Sequence, residues 1–417
     1  MASEYFEPDS DGEVFRPSYP GLEPAQRPYT MVSHGLPYQQ ACKKHVDGFL
    51  NASRVYIMAS KSLSAQTQYL AKLEATLGEK HAGTWIGVKP HSPYDDLVEI
   101  LRDIKAKQAD CLVTLGGGSL TDGTKFIVYA LENGVETVDG VIKMEQALAN
   151  TGNAPRVSLV FIPTTLSGAE YTNLAGCTNP RNLMKVQFTH PGMYAKLVVL
   201  DPDLCRTTPD WVWRSSGVRA IDHCVETICA TRVRPEIIMR TQRSLKKLIR
   251  SLLRYADNPD NLSVRLESQL ACVDATICAV YSIILGASHG IGHNLGPLGV
   301  GHGETSCVLL PSVMKYNAPV NAESQEKILE ILWSEEDIAN VLKQHGLSRA
   351  ESDLTNALRA IFDELGLPKS LKDVGVRRDK WHQLAENSLK DICCMMNPVP
   401  LTQREQVLEI LEMCSGE

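Results

Sequence analysis

Four histidines are the residues of this chain best suited to chemistry. His289 and His293 lie in Gly286-Ala287-Ser288-His289-Gly290-Ile291-Gly292-His293. They are four apart, so on a helix they share one face. His302 returns after a loop rich in glycine and proline (Gly296, Pro297, Gly299, Gly301). His223 lies upstream, in Gly217-Val218-Arg219-Ala220-Ile221-Asp222-His223. Imidazoles gathered this way ligate a divalent metal or move protons near neutral pH. Taken singly, a histidine on a glycine-rich helix more often satisfies a buried backbone carbonyl.

A second stretch suits phosphate. The apolar run Cys111-Leu112-Val113-Thr114-Leu115 leads into Gly116-Gly117-Gly118-Ser119-Leu120-Thr121-Asp122-Gly123-Thr124-Lys125. Three glycines let a backbone approach a diphosphate closely, and a helix starting there adds free N–H groups and a favourable dipole. Thr121 or Asp122 is placed to cap that helix. An ordinary strand-to-helix turn is the plain alternative, and the position directly after a buried strand favours phosphate. Ile162-Pro163-Thr164-Thr165-Leu166-Ser167-Gly168 follows another strand, with hydroxyls that can reach a nicotinamide or a ribose.

The elements that must position these residues alternate. Strand patterns fall at 54–59, 84–88, 111–115, 157–163 and 195–200. Helical patterns fall at 38–50, 66–77 and 93–106. Such alternation predicts a parallel sheet covered on both faces. After Asp201-Pro202 the strand signals vanish and long helical patterns run to the C-terminus. The expected organisation is a flexible, Pro- and acid-rich arm over 1–30, a Rossmann-like α/β dinucleotide-binding domain over 31–205, and an all-α domain over 206–417.

Composition narrows the function classes. The 417 residues are 43% hydrophobic and 22% charged, ordinary for a globular protein. A net charge of -7 and a pI near 5.9 argue against nucleic acid and anionic membranes as partners. No apolar run has transmembrane length, and the acidic N-terminus is neither a secretory nor a transit signal. The twelve cysteines form no CxxC pair and read as small buried hydrophobes in a reducing cytoplasm.

Four blocks, in this order, resemble the iron-containing alcohol dehydrogenase family. They are GGGSLTDGTK, IPTTLSGAE, DPDL followed by GVRAIDHCVE, and GASHGIGHNLGPLGVGHGETSCVLLPSVMKYN. The form of PTTLSGAE is most similar to the maleylacetate reductase branch. The resemblance implies a dehydroquinate synthase-like architecture, NAD or NADP as cofactor, a small-molecule substrate held in a cleft between two domains, and a homodimer. It maps cofactor contacts to Gly116, Gly117, Gly118, Ser119, Asp122, Lys125, Thr164 and Thr165. It maps the histidine ligands of an iron or zinc ion to His223, His289 and His302. With those positions in the family's order, the chemical reading of the histidines outweighs the carbonyl-satisfying one.

One position departs from the family. Its fourth ligand, an aspartate four residues before His223, is Arg219 here. Asp222 is no substitute, because it points about 100° away from His223 on a helix. A dication 4 Å from a guanidinium is repelled by roughly 8 kcal/mol at an effective dielectric of 20. Structural zinc sites bind with only about 10–16 kcal/mol in total. The expectation is therefore a weakened or absent metal, with Arg219 supplying the positive charge. Maleylacetate reductases also lack the aspartate, and their conjugated keto-diacid needs a hydride, an oxyanion partner and a proton donor, not a Lewis acid. His293 is the expected general acid, with His223 or His289 as alternatives. An ion pair of Arg219 with Asp222 on the helix surface is the plain reading of that arginine. After the strand at 54–59, Ser60-Lys61-Ser62 offers no acid for a ribose 2′-OH, and Lys61 favours tolerance of NADPH.

Three rivals remain. One is a metal-dependent alcohol dehydrogenase acting on simple alcohols or aldehydes. Another is a sugar-phosphate cyclising lyase, which needs a metal and phosphate-binding basic residues not recognised here. The last is a non-catalytic NAD-binding protein.

Overall fold

The computed structural model describes residues 6–22, 30–89, 92–146, 152–182 and 185–416. It divides into two compact units, with the boundary between Thr208 and Pro209. The boundary read from sequence, near residue 205, lies just before it.

The first unit is built on a seven-stranded sheet. Its strands are β1 (Val14–Pro17), β2 (Met31–His34), β3 (Val55–Ala59), β4 (His81–Ile86), β5 (Cys111–Gly116), β6 (Ser158–Pro163) and, after a separate hairpin, β9 (Leu197–Leu200). The spatial order is β1-β2-β9-β6-β5-β3-β4, parallel throughout except for β1 against β2. Every residue of β3 and β5 is buried. That is why they read as continuous apolar runs and not as alternations. The hairpin β7 (Leu174–Thr178) and β8 (Lys185–Thr189) forms a second, two-stranded sheet.

The sequence reading placed five strands of the main sheet and missed four strands overall. β1 and β2 have four residues each and owe their form to pairing, not to pattern. β7, Leu-Ala-Gly-Cys-Thr, contains only one β-branched residue. The expected arm over 1–30 needs correction where it is described. Val14–Pro17 pairs with Met31–His34, and Glu13, Val14 and Tyr19 are buried. Glu13 anchors the segment by accepting from Ser33 and bonding His45 Nε2 at 2.6 Å. Residues 1–5 and 23–29 of that arm lie outside the described residues. The helix expected at 66–77 is two, Lys61–Gln66 and Tyr69–Leu77.

The described part of the second unit is helical. Four of its helices matter for the site: Asp210–Cys229, Ala287–Leu295, His302–Ser334 and the single turn Ile392–Met395. Pro209 occupies the N-cap of the first, where no backbone N–H is needed. The long helix kinks at Asn321, two residues after Pro319. All twelve cysteines are buried and free, as the sequence reading expected.

Candidate active site

The glycine turn has the geometry of a phosphate cradle. β5 ends at Gly116, Gly117 is the N-cap, and the helix Gly118–Glu132 begins without a capping side chain or a first-turn acid. The expected cap by Thr121 or Asp122 does not form, because the helix starts before them. Gly116 has φ +154° and a Cβ there would strike Leu120 Cδ1 at 2.6 Å. A Cβ on Gly117 would come 3.1 Å from Thr165 Cγ2, and one on Gly118 2.8 Å from Ser167 Oγ. The glycines thus let the turn press against the Thr165–Ser167 loop, and no side chain caps the helix start. Ser119 is exposed at the helix start, and Thr165 is half-buried with its hydroxyl 2.9 Å from Ser167 Oγ. Thr164 is buried and serves the fold: its N–H donates to Gly116 O, and its carbonyl accepts from Thr208.

Of the expected cofactor contacts, Lys125 is turned into the fold. Lys125 is fully buried, and its ammonium meets Ala169 O at 3.0 Å, Thr172 Oγ1 at 3.1 Å, Asp122 Oδ1 at 3.0 Å and Leu174 O. An ammonium has three hydrogens, so none remains for a phosphate. Asp122 accepts from Gly176 N with its other oxygen. Together the pair fastens β7 to the helix. Motif spacing gives both residue types but not the direction in which they turn.

The second unit brings the four histidines together as a row. The His223 and His289 rings stack at 4.9 Å between centroids. His289 and His293 are 6.2 Å apart, and His293 and His302 6.4 Å. The helix Asp210–Cys229 lays Arg219, Asp222, His223 and Glu226 beside them. Arg219 is only 3% exposed, and its Nη1 donates to Ser306 Oγ at 3.0 Å and lies 3.6 Å from Asp222 Oδ2. The pair with Asp222 exists, but in the interior and not on the surface. Asp222 also accepts from Ser288 Oγ at 2.9 Å and Ser306 Oγ at 2.5 Å. Glu226 accepts from Gly286 N and Ser288 N, both at 2.9 Å, and bonds His289 Nδ1 at 2.7 Å. Gly286 is the N-cap of the histidine helix, so a carboxylate from another helix caps it.

Burial sets the charge states. It pushes Asp222 up to about 6, against the pull of Arg219 and two serine hydroxyls. Glu226 is raised by burial and by the nearby Asp222. His223 is pushed down to about 3 by burial, then by the charges of Arg219 and His293. His289 is lowered by burial and by Arg219. In both imidazoles burial disfavours the charged form. His293 differs in being bonded to a carboxylate, Asp391, at 2.9 Å. Sequence reasoning missed Glu226 and Asp391 as site residues. Glu226 is signalled only by its i,i+4 spacing from Asp222, and Asp391 has no local signal.

The chain belongs to the iron-containing alcohol dehydrogenase family. The model "Iron-containing alcohol dehydrogenase" matches residues 38–202, and "Fe-containing alcohol dehydrogenase family, C-terminal" matches 214–414. The protein is an oxidoreductase of a family that binds NAD(P) and a metal. It is 38% identical to Dehydrogenase FUM7 of Gibberella moniliformis, over 93% of this chain and 96% of that one. It is 39% identical to Dehydrogenase ALT3 of Alternaria alternata, over 86% and 98%. Maleylacetate reductase 1 of Cupriavidus pinatubonensis is 25% identical, over 85% and 86%. Among solved structures, NADH-dependent butanol dehydrogenase A of Thermotoga maritima shares the fold, with a TM-score of 0.80 at 18% identity over 96% and 100%.

The cradle residues fit a dinucleotide: the helix start at Gly118 and Ser119 has no capping side chain and would hold the diphosphate. The residues mapped to the metal fit one only in part. His223 Nδ1 and His289 Nε2 are buried without a hydrogen-bond partner and are ligand-type atoms. Yet the buried guanidinium of Arg219 lies on the same helix as His223, and His302 is exposed. Among the described residues, two groups have ligand atoms within 4.8 Å of one another. These are Asp222–Glu226–His289 and His293–Asp391–Cys393; neither is the expected His223–His289–His302 set.

Proposed function

We propose that this oxidoreductase uses NADH or NADPH to reduce a small carbonyl compound or conjugated keto-acid, with Arg219 as the fixed cation in place of a metal. The burial of Arg219 among Asp222 and Ser306 carries this reading. A bound NADH or NADPH would supply a hydride to the carbonyl carbon or to the conjugated double bond. The displaced electron pair moves to the substrate oxygen, where the guanidinium charge stabilises it. His293 supplies the proton that completes the reduction. The similarity to maleylacetate reductase supports a keto-acid, and the higher identity to two proteins named only as dehydrogenases keeps the substrate class broad. Lys61 is exposed at the start of the helix after β3, which supports acceptance of NADPH.

A second reading keeps the metal. Glu226 on His289 Nδ1 is the outer-shell carboxylate that metal-bound histidines commonly have, with Nε2 left to ligate. In both readings a homodimer in the cytoplasm is the working expectation. No helix of the described residues is long and apolar enough to cross a membrane.

The test is NADH and NADPH oxidation with maleylacetate and with a panel of simple aldehydes. The proposal expects kcat/KM for the keto-acid to exceed that for simple aldehydes by at least about tenfold. A preference for simple aldehydes would favour the metal-dependent reading.

A further inference from the structure

We propose that Asp391 is the positioning residue of His293: its carboxylate fixes the imidazole in the Nδ1–H tautomer, so that Nε2 exchanges the proton with substrate. This rests on the donor role given to His293 above.

Asp391 Oδ2 lies 2.9 Å from His293 Nδ1. An ionised carboxylate only accepts, so the shared hydrogen belongs to Nδ1. The nitrogen left for proton exchange is thereby chosen by the hydrogen bond at the other one. Asp391 is itself held in place. Its Oδ1 accepts from Cys393 N at 2.9 Å, capping the turn Ile392–Met395, and its own N–H donates to Ser388 O at 3.0 Å. Burial pushes this carboxyl up, but the His293 bond and charge and the Cys393 N–H hold it below its ordinary value.

A glycine permits the contact. Gly290 is three residues before His293, on the same helix face. A Cβ there would strike Cys394 Sγ, come 2.8 Å from Cys394 N and sit 3.3 Å from Asp391 Oδ1. A glycine at 290 therefore lets the 392–395 turn close onto the histidine helix. A bond this well braced, to a histidine that is only partly buried, suits a group whose orientation matters.

Asp391→Asn tests it. With Oδ1 still on Cys393 N, the new amide turns a donor toward His293 and inverts the required tautomer. We expect kcat to fall by at least about tenfold while KM for coenzyme holds. We also expect 15N-histidine NMR to show His293 passing from the Nδ1–H to the Nε2–H form, and Asp391→Glu to recover part of kcat. In a His293→Gln background, Asp391→Asn should cost less than about twofold further. Losses that multiply in the double variant, or an Nε2–H form in the wild type, would overturn the inference. If the tautomer inverts as stated but both single variants keep wild-type kcat, the donor role of His293 fails, and this inference with it.

Discussion

Arg219 carries the proposed chemistry, a fixed cation in place of a metal. A guanidinium stays charged when buried, and here it is fixed by Ser306 and Asp222. Pre-set orientation is what lets a charge stabilise an oxyanion without reorganising. Arg219→Ala should lower kcat/KM by more than about tenfold, and Arg219→Lys should not rescue it, since a compact ammonium cannot span both partners. Steady-state kinetics on the two variants checks this; a near-wild-type rate would reduce Arg219 to a structural partner of Asp222. The histidines and this arginine were legible in sequence because local motifs carry them. Asp391 was not, because it meets His293 across a sequence separation of 98 residues. The direction of Lys125 was not legible, because a motif specifies residue type while packing decides where an ammonium goes.

At the scale of elements, the glycine turn and the capped histidine helix hold the chemistry. Each relies on a buried carboxylate. Under the helix Gly118–Glu132, Glu170 accepts from Thr121 Oγ1 at 3.1 Å. Burial raises Glu170 from 4.5 to about 7, against its own backbone amide, Lys125 and Thr121. The folded protein thus keeps a proton that the unfolded chain releases between those two pH values. Stability contributed by the neutral acid is fully present at low pH and is lost as pH rises to about 7. Glu170→Gln removes that titration. Urea unfolding of the wild type should lose about 1–3 kcal/mol more than the variant between pH 5 and 8. Parallel curves would contradict the assignment. Strands β3, β5 and β9 were readable because burial on both faces makes them largely apolar. The hairpin Leu174–Thr178 with Lys185–Thr189 was not, since its place is fixed by Lys125 and Asp122, not by its own pattern.

For the whole molecule, the change from alternating strands and helices to helices alone marked both units and their boundary. Family membership agrees with that division, one model matching each unit. What the pattern left unread is the tie of the N-terminal segment to the sheet, which depends on Glu13 finding Ser33 and His45. The central claim is that the catalytic cation of this enzyme is covalent, not bound. Purification without added metal, chelation, and elemental analysis paired with turnover on one sample test it directly. We predict well below one equivalent of iron or zinc with kcat unchanged by chelation. One equivalent of metal per chain, with activity lost on its removal and restored on its return, would contradict the account.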